Sequence, residues 1–218
     1  MIRRPFLQSL LACALGAALA GCPSARAQSA AQDATASRTG PTRMDEGRPS
    51  RTAQSTAQLR AAHQIVDHPR ILDDPLALRI IGSRAEAAVR ANPQGDQRLA
   101  TLRAIVVLCS RYAEDELARA VHRGVGQYVI LGAGLDTFAY RNPYPAWGLR
   151  VFEVDHPATQ ARKRARLHEA GIDIPDSLAF APVDFEKETL ADALRRAGLR
   201  TDEPVFFSLL AHLMKAGR

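Results

Sequence analysis

A short apolar run, Tyr128-Val129-Ile130-Leu131, ends directly in Gly132-Ala133-Gly134. Such a run, bounded by glycine, reads as a buried strand. Glycine lets the backbone turn tightly and lets a ligand approach main-chain atoms. In an open parallel sheet, ligands bind at the carboxyl ends of the strands, which is where this turn falls. The fingerprint of dinucleotide sites needs a third glycine, but here the chain continues Leu135-Asp136-Thr137. The turn therefore suits a cofactor without a pyrophosphate. An NAD(P)-dependent oxidoreductase stays open as an alternative.

The surrounding sequence supplies the rest of an α/β architecture. Downstream strands are expected at Arg150 to Val154, Ala179 to Val183 and Pro204 to Leu210, with Pro182 pointing to an edge position. Helices are expected at Ala158 to Ala170, with Pro157 in its first turn, and at Thr189 to Ala197, closed by Gly198. Strands and helices alternating at this spacing predict a parallel sheet with right-handed crossovers. Residues 44–126 read as a helical region ahead of a sheet domain at 127–218. In it, Ser50 or Thr52 caps a helix from Ala53 to Val66 that ends before Pro69. Asp73-Asp74-Pro75 opens a second helix, Leu76 to Ile81, stopped by Gly82. A third, from Gln97 to about His122, carries an expected buried stripe of Leu99, Leu102, Ile105, Val106, Leu108, Tyr112, Leu117 and Val121.

Two acids stand where strands should end. Phe152-Glu153-Val154-Asp155 closes the second strand about twenty residues after the glycine turn, where a ribose diol is gripped. A carboxylate accepts two hydrogen bonds at once and so suits a cis-diol. Asp155 is at the tip, while Glu153 reads equally as a binding residue or as a solvated or capping acid. Val183-Asp184-Phe185 closes the third strand. There Asp184 either meets an exocyclic amine, with Phe185 against an adenine face, or caps the backbone before Glu186. Arg111, on the long helix, can pair with a carboxylate in bidentate fashion or sit in a surface salt bridge. The six histidines are scattered, with no metal-ligand spacing, and His156 reads as a turn residue. No Ser/His/Asp or Cys/His arrangement is evident.

The net charge of +6 raises the question of a nucleic-acid partner. Residues 1–43 hold five arginines and one acid, so the remaining chain is only +2, without a basic run interleaved with aromatics. Nucleic-acid binding is not expected. That first segment has a basic start, an apolar stretch from Phe6 to Ala20 and a small-residue end, as a secretory signal does. Leu19-Ala20-Gly21-Cys22 resembles a lipoprotein cleavage box, which makes membrane attachment conditional on lipidation of Cys22, and Ala25-Arg26-Ala27 offers an ordinary cleavage site as the alternative. Residues 28–43 are polar and read as disordered. Alternatively Met44 is the start, which places the working enzyme in the cytosol. Cys109, in an apolar run, reads as a buried small side chain.

Taken together, Ser50-Arg51-Thr52-Ala53, Ile71-Leu72-Asp73-Asp74-Pro75, Ser110-Arg111-Tyr112, Leu131 to Thr137, Phe152 to Pro157 and Val183-Asp184-Phe185 resemble the leucine carboxyl methyltransferase family. The resemblance is to its bacterial S-adenosylmethionine-dependent branch and covers about Pro49 to Leu210. It implies a Rossmann-like class I methyltransferase sheet, the cofactor S-adenosyl-L-methionine and a small-molecule methyl acceptor with a carboxylate or hydroxyl. It implies that Arg111 holds the methionine carboxylate and that Gly132 and Gly134 approach the methionine portion. Asp136 and Thr137 would shape the turn, Asp155 would bind the ribose, and Asp184 with Phe185 would address the adenine. Members of the family continue past the fourth strand, so the resemblance also implies an incomplete sheet of about four strands here, with weak stability and impaired turnover. A non-catalytic exported lipoprotein or cofactor-binding remnant is the reading from a different class.

Overall fold

The computed structural model describes residues 51–210. The signal-like segment, Cys22, the Met44 start and the Ser50 cap lie outside the described residues. The helical region contains α1 (Arg51–Val66), α2 (Ala77–Ile80), α3 (Ser83–Ala91) and α4 (Gln97–His122). Then come β1 (Gln127–Leu131), β2 (Arg150–Asp155), α5 (Pro157–Glu169), β3 (Leu178–Pro182), α6 (Leu190–Arg196) and β4 (Val205–Leu209). The four strands form one parallel sheet in the order β3-β2-β1-β4. Pro182 therefore does sit on an edge strand.

The strand order dictates where the crossovers lie. From β2 to β3 the chain moves outward, and from β3 to β4 it doubles back past β2 and β1. Right-handed connections place two such crossovers on opposite faces. Accordingly α6 packs Ala193 and Leu194 against Val129, Phe152 and Val154, while α5 brings Lys163 to Glu153 on the other face. That second face also carries Tyr128, Ile130 and Val151, covered by Leu117 and Val121 of α4 and by Phe138. The β1–β2 connection holds only two short 3-10 turns, at Phe138–Tyr140 and Pro145–Trp147.

Three expectations are corrected. Gly82 does not simply stop α2. With φ of +84°, it is the N-cap of α3, an element whose weak apolar pattern hid it. On α4 the buried side is Arg103, Val106, Val107, Ser110, Ala113, Leu117, Ala120 and Val121. Leu99, Ile105, Leu108 and Tyr112 are exposed, Tyr112 at 66%. Two polar residues sit on the inner face: Ser110 donates to the Val106 carbonyl, and Arg103 pairs with Asp67 at 2.9 Å. Val106, Leu117 and Val121 of the expected stripe are buried, so an apolar-stripe reading finds only part of a buried face this mixed. Cys109 is half-buried, not core.

Candidate functional site

The carboxyl ends of β1, β2 and β3 bring the glycine turn, Asp155 and Asp184 to one edge of the sheet. The order reverses between β1 and β4, so this edge includes the switch point where parallel sheets hold ligands. Gly132 and Gly134 both have positive φ, +65° and +49°. The Gly134 N–H donates to Asp155 Oδ2 at 2.6 Å and the His156 N–H to Oδ1 at 2.7 Å. The Ala133 N–H donates to the Val154 carbonyl at 3.0 Å. The carboxylate of Asp155 is thus aimed by two main-chain donors, and each oxygen keeps a lone pair free. His156 then caps α5 through its Nδ1, which accepts from the Ala158 N–H at 3.2 Å. That is the turn role expected for it.

Asp184 follows Val183, whose N–H donates to the Asp155 carbonyl at 2.9 Å, so the two acids are neighbours across the strand tips. Asp184 Oδ1 accepts from the Glu186 N–H at 3.1 Å and Oδ2 meets Lys187 Nζ at 2.8 Å. Those two bonds hold its carboxyl below the usual range. The capping role is therefore present. Phe185 is 67% exposed beside it.

Arg111 is on the outer side of α4, half exposed, and pairs with Asp115 one turn away at 2.6 Å. Among the described residues no hydrogen bond or ion pair joins it to the glycine turn. Glu153 is neither solvated nor capping. It is fully buried, 2.6 Å from Lys163 Nζ, with the Tyr140 hydroxyl donating to the same oxygen at 3.3 Å. Burial pushes its carboxyl up to about 7, against the opposing pull of Lys163.

Of the residues that hold the turn from below, Arg60 and Arg141 were not singled out in the sequence, and Asp74 was read there only as part of a helix start and a family motif. Arg60 of α1 is buried and donates through Nη2 to the Leu135 carbonyl at 2.6 Å. Its Nη1 lies 3.8 Å from Asp136 Oδ2, and its Nε lies 3.8 Å from Asp74 Oδ2. Burial alone would raise the Asp136 carboxyl, but Arg60, Lys163, the Phe138 N–H and Arg141 outweigh it and hold it low. Asp74 accepts from the Thr137 hydroxyl at 2.6 Å. Arg141 bridges Thr137, Asp74 and Glu114. The Asp73-Asp74-Pro75 motif thus contributes a buried prop for the turn as well as a helix start. A signal for Arg60 existed: it is a lone charge flanked by Ala57 and Ala61 on the inner side of α1. Thr137→Val removes a donor from a buried carboxylate and is expected to lower stability by about 1–3 kcal/mol. Urea denaturation checks this, and a change near zero contradicts it.

Comparison with known proteins bears on this site. The sequence model described as "Leucine carboxyl methyltransferase" matches residues 53–214. The chain belongs to the leucine carboxyl methyltransferase family. Within it, the chain is 35% identical over 189 residues to the "Putative S-adenosyl-L-methionine-dependent methyltransferase YktD" of Bacillus subtilis, covering 77% of this chain and 62% of that one. A protein of the same description from Parafrankia sp. is 38% identical over 159 residues, covering 71% and 50%. One from Mycolicibacterium paratuberculosis is 31% identical over 172 residues, covering 72% and 53%. The chain spans roughly half to three fifths of the length of these curated relatives. The family match takes in α1 from Ala53 onward, the glycine turn, Asp155 and Asp184, so these site residues lie inside the shared region. Among the described residues of this family member, no group of His, Cys, Asp and Glu could hold a metal, and no helix is long and apolar enough to cross a membrane.

Proposed function

We propose that this chain binds S-adenosyl-L-methionine at the tips of β1, β2 and β3 and serves methyl transfer to a carboxylate or hydroxyl oxygen of a small molecule. The observation that carries the reading is Asp155, held by the Gly134 and His156 N–H groups with acceptor capacity left on both oxygens. That arrangement fits a ribose diol. Gly132 is exposed at the strand tip and presents main chain without a side chain to the methionine portion. Phe185, exposed at the neighbouring tip, offers a flat apolar face for adenine, and Asp184 beside it can accept from the exocyclic amine. The Asp184–Lys187 pair is solvent-exposed on the lysine side, and such pairs contribute little, so a ligand can displace it. Arg111 would take the methionine carboxylate by exchanging Asp115 for it, one surface ion pair for another.

The bound cofactor supplies an electrophilic methyl group. The residues of the chain bind and align it, because direct transfer depends on proximity and in-line geometry. The working protein is assigned to the cytosol, where this cofactor is made.

Calorimetry on the purified chain tests the reading. S-adenosylmethionine and S-adenosylhomocysteine are expected to bind and NAD is not. Asp155→Asn is expected to weaken S-adenosylmethionine by roughly 10- to 100-fold, the equivalent of one or two charge-assisted hydrogen bonds. Binding of NAD in place of the sulfonium ligand would favour the oxidoreductase alternative.

A further inference from the structure

We propose that Arg60 is a positioning residue, which sets the shape of the glycine turn from beneath and makes the site conditional on the docking of α1. Two contacts join this helix to the turn. Ala53, one end of α1, lies so close to Gly134 that a Cβ there would stand 2.8 Å from the Ala53 Cβ. Two helical turns on, the Arg60 guanidinium reaches the next residues, the Leu135 carbonyl and the Asp136 carboxylate. One helix therefore touches the turn at successive residues, Gly134, Leu135 and Asp136.

The chemistry of Arg60 is that of a spacer more than a stabiliser. Its Nε is buried without a hydrogen-bond acceptor, and its two ion pairs are long, at 3.8 Å. A buried guanidinium so incompletely paired recovers little of its desolvation cost. What it does achieve is geometric. A planar fork sets two groups at fixed separation, which the single point charge of lysine does not. Leu135 and Asp136 directly follow Gly134, whose N–H aims Asp155. Holding that carbonyl and carboxylate fixes the direction in which the Gly134 N–H points. Small displacements of a binding group carry large penalties, so the effect reaches the ligand without contact.

Arg60→Lys is the test, since it keeps the charge and loses the fork. Two measurements are made on the full chain. The first is amide hydrogen exchange without ligand. Protection at Gly134 and Phe138 is expected to fall about 10-fold or more, while Val129 and Phe152 in the strands keep theirs. The second is the affinity for S-adenosylmethionine, expected to fall about 10-fold or more. Asp136→Asn, which removes one partner of the fork and retains an acceptor for Phe138, is expected to loosen the same amides non-additively with Arg60→Lys. Unchanged protection at Gly134 in both variants overturns the proposal. So does uniform loss across turn and strands, which marks a merely structural role. The affinity measurement rests on the cofactor reading and the exchange measurement does not. A wild-type chain that ignores S-adenosylmethionine while Arg60→Lys frees the Gly134 amide defeats the cofactor reading alone.

Discussion

Lys163→Met is expected to destabilise the protein by about 3 kcal/mol near pH 9 and by less than about 1 kcal/mol near pH 5. The pH dependence comes from Glu153. Its folded value of about 7 lies above the ordinary 4.5, because the carboxyl is wholly buried and Lys163 only partly offsets that. A carboxyl raised in the folded state favours folding most when protonated. Its contribution is complete below pH 4.5 and lost as the pH climbs to about 7, after which folded and unfolded forms both hold the charge. Removing Lys163 takes away the neighbour that lowers the folded value, so the loss continues through neutral pH into the alkaline range. Each further unit costs about 1.4 kcal/mol. Urea denaturation at pH 5, 7 and 9 reads this directly. A cost that does not change with pH would show that Lys163 acts through packing alone. The neighbouring Tyr140 ring, 5.2 Å from Nζ, is the packing partner that such a result would implicate.

Gly134→Val is expected to be the most damaging substitution in the turn, at about 3 kcal/mol or more, with S-adenosylmethionine binding abolished. Two penalties combine. A β-branched residue at φ of +49° is strained, on the order of 1–2 kcal/mol. The new Cβ also stands 2.8 Å from the Ala53 Cβ, which no side-chain rotation relieves, so α1 must shift. The two parts separate experimentally. Adding Ala53→Gly opens the space but leaves the backbone strain, so the double variant should regain part of the stability and remain well below wild type. Full recovery would mean that the left-handed conformation is not required. No recovery would mean that α1 does not press on the turn.

The sheet was legible in the sequence because each strand is a short apolar run marked at one end by glycine, an acid or proline. The pattern gave all four strands, and the expected edge position of Pro182 agrees with the observed order. The long helix was legible in extent but only in part in orientation, because Arg103 and Ser110 replace apolar residues on its inner face. The acids at the strand tips were visible as residues next to a turn. The local cap of Asp184 on the Glu186 N–H was one of its expected readings, whereas the bond from the Gly134 N–H to Asp155 depends on the pairing of β1 with β2 and was not legible. The support beneath the turn was hidden for a related reason. Arg60, Asp74 and Lys163 are charges in helices and loops, where solvation is the default reading, and only the tertiary fold turns them inward. Lys163 shares the inner side of α5 with Thr159 and Leu167, a spacing that marks it after the fact.

The distances along the chain between these partners have a kinetic meaning. Arg60 and Leu135 are 75 residues apart, and Asp74 and Thr137 are 63 apart. Neither pair can form until a long loop has closed, an entropic cost met before the contact is made. High sequence separation of this kind slows folding. The glycine turn should therefore acquire its final shape only as the last long-range contacts close, after the local β1–β2 pairing. A ligand that recognises the finished turn draws its affinity from the completed chain and holds α1 closed in return, by mass action on the folded state.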